Sequence, residues 1–170
     1  MNSPRRWFWT ATLAAATVAA SCGAKSPSSA APAFSATSLA GDAISLASLQ
    51  GSVVLLDFWA TWCPPCREQI PHLIDLHDAY RARGFTVIGA SVDHNPGVVA
   101  PFVTQMGITY PVIMAEPAMS QAYKVRAIPT TVLIDQAGRI RRRYSGYLPK
   151  TVLERDIRQV LDEAPAKALL

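Results

Sequence analysis

The sequence contains few of the residues that build a structural metal site. It has three cysteines in 170 residues, and its three histidines, His72, His77 and His94, are not spaced as ligands around them. Structural zinc sites normally use four ligands, often arranged as two cysteine pairs. One close pair is present, Cys63 and Cys66, so we predict neither a metal site nor a cofactor.

Strong charge of either sign is also missing. Charged residues make up 16% of the chain, and the formal net charge is +4. Arg5 and Arg6 lie in a segment that we expect to be removed, which takes away two positive charges and leaves +2. This charge gives no reason to expect a nucleic-acid partner. The basic run at residues 139–143 is interpreted as a solvated strand face, with a docking patch for an acidic partner as the alternative.

No apolar run in the chain is long enough for a transmembrane helix, which needs roughly 20 residues. The N-terminus instead has the parts of an export signal. Arg5 and Arg6 precede an apolar, alanine-rich stretch, and small residues lead into Cys22. We predict a signal peptide at residues 1–21. Residues 22–33 are rich in Ala, Ser and Pro, which predicts a flexible tether.

Cys22 stands in the sequence Ala-Ala-Ser-Cys-Gly at residues 19–23, which resembles the lipobox of bacterial lipoproteins. A Leu is usual where Ala19 stands. The resemblance implies that Cys22 becomes the lipidated first residue of the mature chain and anchors it to a membrane. The alternative is a plain secretory signal. Either way, we expect the folded domain in the periplasm. Residues 5–9 loosely resemble a twin-arginine signal, so the export route stays open.

Hydrophobic patterns predict one α/β domain at residues 34–163 and a short tail at 164–170. Weak alternation around a Gly-Asp turn predicts a β-hairpin at 34–49. Continuous apolar runs and helical spacing predict the remaining elements. The strands are predicted at 53–59, 85–92, 110–114, 130–134 and 139–144, and the helices at 64–83, 96–106, 117–124 and 148–161. This order predicts helices on both faces of a mixed sheet.

The cysteine pair lies where a buried strand is predicted to meet a helix. Pro64 suits the first turn of that helix, and a thiolate at a helix start is stabilised by the helix dipole. We expect Cys63 to attack a substrate disulfide and Cys66 to resolve the mixed disulfide. The alternative is a static disulfide, although so small a loop constrains the unfolded chain little.

Residues 53–66, VVLLDFWATWCPPC, resemble the active-site strand and turn of thioredoxin-like proteins. The resemblance is closest to the TlpA/ResA group of exported, membrane-tethered thiol-disulfide oxidoreductases. Pro71 matches the group's helix-kinking proline, and residues 127–130 resemble its cis-proline loop. The resemblance implies a thioredoxin-like three-layer α/β/α sandwich with a central mixed sheet and an N-terminal β-hairpin. It also implies a disulfide-containing protein substrate, a membrane electron donor and a role in cytochrome c maturation.

The same resemblance implies a docking surface beside Cys63. Pro129 would follow a cis peptide bond, and its loop would present the backbone of Ile128 to an extended substrate. Trp62 and Pro64 are expected on this surface, whereas Trp59 is expected in the core.

Asp57 lies six residues before Cys63, as the buried acid of thioredoxin does. Burial would raise the pKa of this carboxyl and let it exchange a proton with Cys66 as a general base; the alternative is an exposed strand acid. Many TlpA-type proteins carry Asn there. ResA-like members also place a Glu where this chain has Gln69. Glu68, one residue earlier, should point roughly 100° away.

Two other functions share parts of this pattern. A peroxiredoxin has the same fold, but its reactive cysteine follows a Thr by three positions, and Ala60 stands there. A metal or haem chaperone could use the cysteine pair, but no further soft ligand supports that function. The stiff Pro64–Pro65 loop and Ile128 favour a reductase over an oxidase.

Overall fold

The computed structural model describes residues 29–163, in which strands alternate with helices along the chain. The predicted signal peptide, Cys22 and the tail at 164–170 lie outside the described residues. The elements are β1 (Ser35–Thr37), β2 (Ala43–Ser45), β3 (Val53–Trp59), α1 (Pro64–Tyr80), β4 (Phe85–Ser91), α2 (Pro96–Met106), β5 (Val112–Met114), α3 (Pro117–Ala122), β6 (Thr130–Ile134), β7 (Ile140–Ser145) and α4 (Lys150–Asp162).

The central sheet has five strands in the order β5-β4-β3-β6-β7. Strands β3, β4 and β5 are parallel, and β6 and β7 run antiparallel to their neighbours. Strands β1 and β2 form a separate antiparallel hairpin. The predicted mixed sheet and N-terminal hairpin are therefore confirmed.

Strand β3 is buried along its whole length because both faces of the sheet are covered. Successive side chains of a strand point to opposite faces. Val53, Leu55 and Trp59 pack into one cluster with α1, α2 and α4. Leu56 and Phe58 pack into a second cluster with the hairpin and the end of α3. This is the predicted three-layer arrangement, and it directs Asp57 toward α1.

Helix α1 begins at the active-site turn and continues through Pro71 to Tyr80. Pro64 and Pro65 occupy its first two positions, where the missing N–H groups cost no helical hydrogen bond. A short 3₁₀ turn follows, and Gly84 ends it with a φ of 78°, in the left-handed region that glycine favours. The sequence-predicted stop at Gly84 is thus where the helical segment ends.

The predicted tether at residues 22–33 is wrong in its last part. Ala30 forms a β-bridge with Arg139, and the Ala31 N–H donates to the Gly138 carbonyl at 2.9 Å. Ile140 donates its N–H to the carbonyl of Ser29, also at 2.9 Å. These are backbone hydrogen bonds, which an Ala/Ser/Pro composition does not forbid. The ordered domain therefore includes residues before Phe34.

The basic run at residues 139–143 is not simply a solvated strand face. Arg139 pairs with buried Asp135 at 2.9 Å, and Arg141 pairs with Glu163 at 2.6 Å. Arg143 donates to the carbonyl of Tyr123. These arginine side chains bind groups of the same chain, and this disfavours the alternative of a docking patch for an acidic partner as well.

The helices in the described part of the chain are short or carry many polar residues. No helix within residues 29–163 combines the length and the apolar character that crossing a membrane requires.

Candidate active site

The two cysteines lie at the start of α1 and are joined by a disulfide. The sulfur atoms are 2.05 Å apart and the Cα atoms 5.3 Å apart. Cys63 is the N-cap of the helix, and its Sγ accepts a hydrogen bond from the Cys66 N–H at 3.3 Å. Cys66 is 1% exposed, but Cys63 is also buried, at 3%, in this oxidised form.

The turn before Cys63 is tied to the end of β4 by the side chain of Asp93. Its carboxylate accepts from the Thr61 N–H at 2.9 Å and from the Thr61 hydroxyl at 2.8 Å. The Ser91 hydroxyl donates to the same carboxylate at 2.8 Å. Sequence reasoning missed Asp93, because its partner Thr61 is distant in the chain. These bonds hold the turn that carries Trp62 and Cys63.

An open groove of about 330 Å³ lies next to this turn. Trp62 forms one wall and is 66% exposed, which is unusual for so large an apolar side chain. The other walls are Val92, Ser120, Val125, Arg126, Ala127 and Ile128. Two sequence-predicted docking residues, Trp62 and Ile128, therefore meet at one surface. Pro64 and Pro129 do not line this groove.

The peptide bond between Ile128 and Pro129 is cis, as the resemblance implied. Pro129 is buried, and its carbonyl accepts from the Gly146 N–H at 2.8 Å. The Thr130 hydroxyl donates to the Ala127 carbonyl at 2.6 Å. These bonds fix the loop on which Ile128 lies at the groove.

Asp57 is buried beneath α1, at 1% exposure, so it is not an exposed strand acid. Burial raises the pKa of its carboxyl to about 7, although hydrogen bonds from Thr131 and Gln69 oppose that rise. Oδ1 accepts both bonds, from the Thr131 hydroxyl at 2.7 Å and from the Gln69 amide at 3.1 Å. Oδ2 has no hydrogen-bond partner among residues 29–163. An acid with a pKa near 7 can take up or release a proton at neutral pH.

Gln69 is the most connected side chain around this acid, and sequence reasoning gave it no role. It is fully buried. Its Nε2 donates to Asp57 and to the Thr131 hydroxyl, the latter at 3.0 Å. Its Oε1 accepts from the Leu148 N–H at 3.0 Å. One side chain thus joins α1, β3, β6 and the loop before α4.

Gly89 leaves room for two large side chains beside Asp57. It is paired with Asp57 across β3 and β4. A Cβ atom at Gly89 would lie 3.0 Å from both the Trp59 Nε1 and the Tyr110 ring, which is tighter than most real Cβ contacts. Trp59 is fully buried, as predicted. Burial, with the charge of Asp57, raises the pKa of Tyr110 well above its ordinary value.

A metal centre has no support in the part of the chain that the structure describes. Residues 29–163 contain no group of three or more His, Cys, Asp or Glu side chains that could hold a metal ion. The chemistry that this arrangement offers is thiol–disulfide exchange at Cys63 and Cys66.

Comparison with known proteins points to the same chemistry. The model of the AhpC/TSA family matches residues 27–143. The chain is 32% identical over 127 residues to the thiol-disulfide oxidoreductase ResA of Halalkalibacterium halodurans, covering 74% of this chain and 72% of that protein.

Solved structures agree with this relationship. A thioredoxin-family thiol:disulfide interchange protein from Chlorobium tepidum superposes with a TM-score of 0.75 at 33% identity, covering 81% of this chain and 99% of that one. A secreted thiol-disulfide isomerase from Corynebacterium glutamicum gives a TM-score of 0.72 at 29% identity, covering 78% and 85%. This chain therefore belongs to the AhpC/TSA family and is a thiol-disulfide oxidoreductase of the ResA-like, thioredoxin-fold type.

Proposed function

We propose that this protein reduces disulfide bonds in partner proteins outside the cytoplasm, with Cys63 as the nucleophile and Cys66 as the resolving thiol. The observation that carries the proposal is the position of the cysteine pair. The disulfide lies at the N-terminus of α1, beside an exposed apolar groove that Trp62 and Ile128 line. A substrate chain lying in that groove would bring its own disulfide to Cys63.

The position of Cys63 favours it as the attacking sulfur. As N-cap, its Sγ faces the Cys66 N–H, and the helix dipole adds roughly half a positive charge there. Both features stabilise a thiolate, which is the reactive form. Cys66 lies one turn into the helix, which suits a thiol that reacts only with Cys63.

The reaction proceeds by two exchanges. The Cys63 thiolate attacks one substrate sulfur, forming a mixed disulfide and releasing the other substrate sulfur as a thiolate that takes up a proton. Cys66 then loses its proton and attacks the Cys63 sulfur. The Cys63–substrate bond breaks, and the second substrate sulfur leaves and is protonated. Asp57 is the proposed acceptor of the Cys66 proton. Two electrons pass to the substrate, and the Cys63–Cys66 disulfide is formed.

The proposed docking surface combines the groove with the loop at Pro129. Trp62 and Ile128 supply apolar contact area, and we assign the backbone of Ile128 to strand-like pairing with an extended chain. Pro64 shapes the first turn of α1 beside Cys63. A cytochrome c precursor with a disulfide is the substrate class that the family resemblance suggests.

A reductase must itself be reduced again, and we propose a membrane thiol-disulfide donor for this step. The location rests on the N-terminal sequence, in which a positive, apolar segment precedes Cys22. The similarity to a secreted isomerase is consistent with export. We propose lipidation at Cys22 and residues 23–28 as the tether. Mass spectrometry of the mature protein tests this anchor, since an unmodified N-terminus at another residue would contradict it.

Substitution of each cysteine tests the assignment. Cys63→Ser should abolish reduction of insulin disulfides, because it removes the attacking sulfur. Cys66→Ser should instead accumulate a covalent complex between Cys63 and the substrate, visible on non-reducing gels. Normal insulin reduction by Cys63→Ser would refute the proposal.

The reduction potential of the Cys63–Cys66 pair tests the direction of electron flow. A value near roughly −270 mV is typical of a reducing dithiol, whereas roughly −120 mV is typical of a strong oxidant. We expect the former. Equilibration with glutathione or dithiothreitol, followed by thiol trapping, measures it.

A further inference from the structure

Gln69 makes contacts that determine how Asp57 can act. Its side chain is completely buried at the level of β3, three residues after Cys66 and on the same face of α1. The Nε2 group lies 3.1 Å from Asp57 Oδ1, and Oε1 lies 3.0 Å from the Leu148 nitrogen. The amide therefore lies between the acid and the loop that precedes α4.

The orientation of this amide is fixed by its partners. The backbone N–H of Leu148 can only donate, so it requires the carbonyl oxygen of Gln69. The opposite orientation would place NH₂ against N–H and an oxygen against the Asp57 carboxylate. The nitrogen must therefore face Asp57, and it acts as a donor toward Oδ1.

The two oxygens of Asp57 consequently have different surroundings. Oδ1 accepts from Gln69 and also from the Thr131 hydroxyl, at 2.7 Å. Oδ2 accepts from no group within residues 29–163. A proton on Oδ1 would have to displace one of two donors, whereas a proton on Oδ2 displaces none.

We propose that Gln69 is the positioning residue of this site, which reserves Asp57 Oδ2 as the atom that takes the proton from Cys66. The inference rests on the proposed function, since it concerns the second exchange. In that step the Cys66 S–H bond breaks, its proton moves to Oδ2, and the sulfur attacks Cys63. The substrate thiolate leaves with the electron pair of the broken S–S bond.

Few other ionisable groups face Asp57. The two side chains that donate to its carboxylate, Gln69 of α1 and Thr131 of β6, are uncharged. Tyr110, just before β5, is a titratable group within residues 29–163 whose pKa the charge of Asp57 raises. In the part of the chain that the structure describes, the pKa of Asp57 is set by burial and by its hydrogen bonds to Thr131 and Gln69, with no charged side chain among the causes. In the second exchange Cys66 is a free thiol, so the pH dependence should report on the Cys66 thiol and on Asp57 with its two donors.

Gln69→Glu tests the inference with almost no change in size. A second carboxyl would face Asp57 Oδ1, and two carboxyls in contact cannot both ionise easily. The fully reduced protein is mixed with 5,5′-dithiobis(2-nitrobenzoate), and the slower release of the second 2-nitro-5-thiobenzoate is followed by stopped flow. We expect the midpoint of the wild-type pH profile near 7, where burial places Asp57. In Gln69→Glu it should rise by about one pH unit, which lowers the rate at pH 7 about fivefold and the rate well below pH 7 about tenfold.

Two further variants separate positioning from folding. Gln159→Glu makes the same substitution on an exposed face of α4 and should keep the wild-type midpoint. Gln69→Met has similar length but no donor, so it should also raise the midpoint, because a hydrogen bond that favours the carboxylate is lost. It keeps the inference testable if Gln69→Glu does not fold.

The outcomes are distinct. A raised midpoint in both Gln69 variants, with Gln159→Glu unchanged, supports the inference. A rate that falls equally at every pH, or an unmoved midpoint in a folded Gln69 variant, overturns it and assigns Gln69 a packing role alone. Failure of the wild-type protein to release the second thiolate would refute the proposed function itself.

Discussion

At the scale of single residues, burying Asp57 costs folding free energy when its carboxyl is ionised. It is an ionisable group in a strand that is otherwise apolar, and its pKa is raised to about 7 by burial. A group whose pKa is higher in the folded than in the unfolded chain favours folding most at low pH. That contribution is complete below the unfolded value of 3.8 and is lost as the pH rises to about 7.

Asp57→Asn should therefore stabilise the oxidised protein at alkaline pH. The difference from wild type should be small near pH 4, grow through neutral pH and level off above it. Its upper limit is roughly 4 kcal/mol, from about three pH units at 1.4 kcal/mol each. Denaturant unfolding at a series of pH values measures it. Asp42→Asn, at an exposed hairpin position, is the control, and an equal effect of the two substitutions would contradict the role of burial.

Residues of this site differ in how visible they are in the sequence. Cys63, Cys66 and Asp57 could be predicted because a short local pattern carries them all. Gln69 could not, because its partners Thr131 and Leu148 lie 62 and 79 residues away. A polar residue at a helical core position gives no sign of which distant group it contacts.

At the scale of elements, the junction between β3 and α1 depends on a neighbour, β4. The turn at residues 60–63 makes one backbone bond of its own, from the Cys63 N–H to the Ala60 carbonyl at 3.2 Å. The Asp93 carboxylate adds two bonds to Thr61 and one to Ser91. The geometry of the cysteine turn is thus set partly from outside it.

Asp93→Ala should loosen this junction. It leaves the Thr61 N–H and hydroxyl without their acceptor, which costs about 1–3 kcal/mol of folding free energy. Hydrogen exchange at the Thr61 amide should become faster than at the amides of β3. Asp78→Ala, which removes an exposed carboxylate that accepts from Thr109, is the matched control. Unchanged exchange at Thr61 would show that Asp93 does not hold the turn.

Most element boundaries could be predicted to within one or two residues, and the differences have local causes. Strand β5 begins at Val112 rather than at Tyr110, because Pro111 has no N–H to donate. Helix α4 begins at Lys150 rather than at Leu148. The residue before Pro149 disfavours helical geometry, and the N–H of Leu148 is bound to Gln69.

At the scale of the whole molecule, residues before the predicted domain complete the fold. Besides the bonds of residues 29–31 to the β6–β7 turn, the Pro32 carbonyl accepts from the Tyr123 hydroxyl at 2.6 Å. Tyr123 is fully buried in the cluster behind the sheet. The N-terminal segment therefore supplies a partner to a core side chain.

Truncation measures this contribution. Chains that begin at Gly23 and at Ser29 should be equally stable, whereas a chain that begins at Phe34 should lose about 1–3 kcal/mol, because the buried Tyr123 hydroxyl loses its acceptor. Guanidinium unfolding of the three chains measures their free energies of unfolding. Equal stability of all three would show that residues 29–33 do not stabilise the fold and that the domain begins at residue 34, as predicted.

The fold class could be predicted because two buried strands, the cysteine turn and the proline loop each have a local signature. The path of residues 29–32 could not, since the bonds of residues 29–31 join main-chain groups, which any sequence without proline at the donor positions can pair, and the partner of Pro32 is the distant Tyr123. A prediction from composition alone therefore assigned these ordered residues to the tether instead of to the domain.

The pairing of the N-terminal segment also affects how the protein behaves at high concentration. The outer strands of an open sheet present unpaired N–H and C=O groups, which can recruit a strand from another copy and begin aggregation. Here Ala30 bridges to Arg139 at one border, and Ser38 bridges to Ile113 at the other. Arg141 and Arg142 add charge along β7. Two short stretches near the start of the domain thus cover part of both sheet edges and hinder pairing with strands of other protein copies.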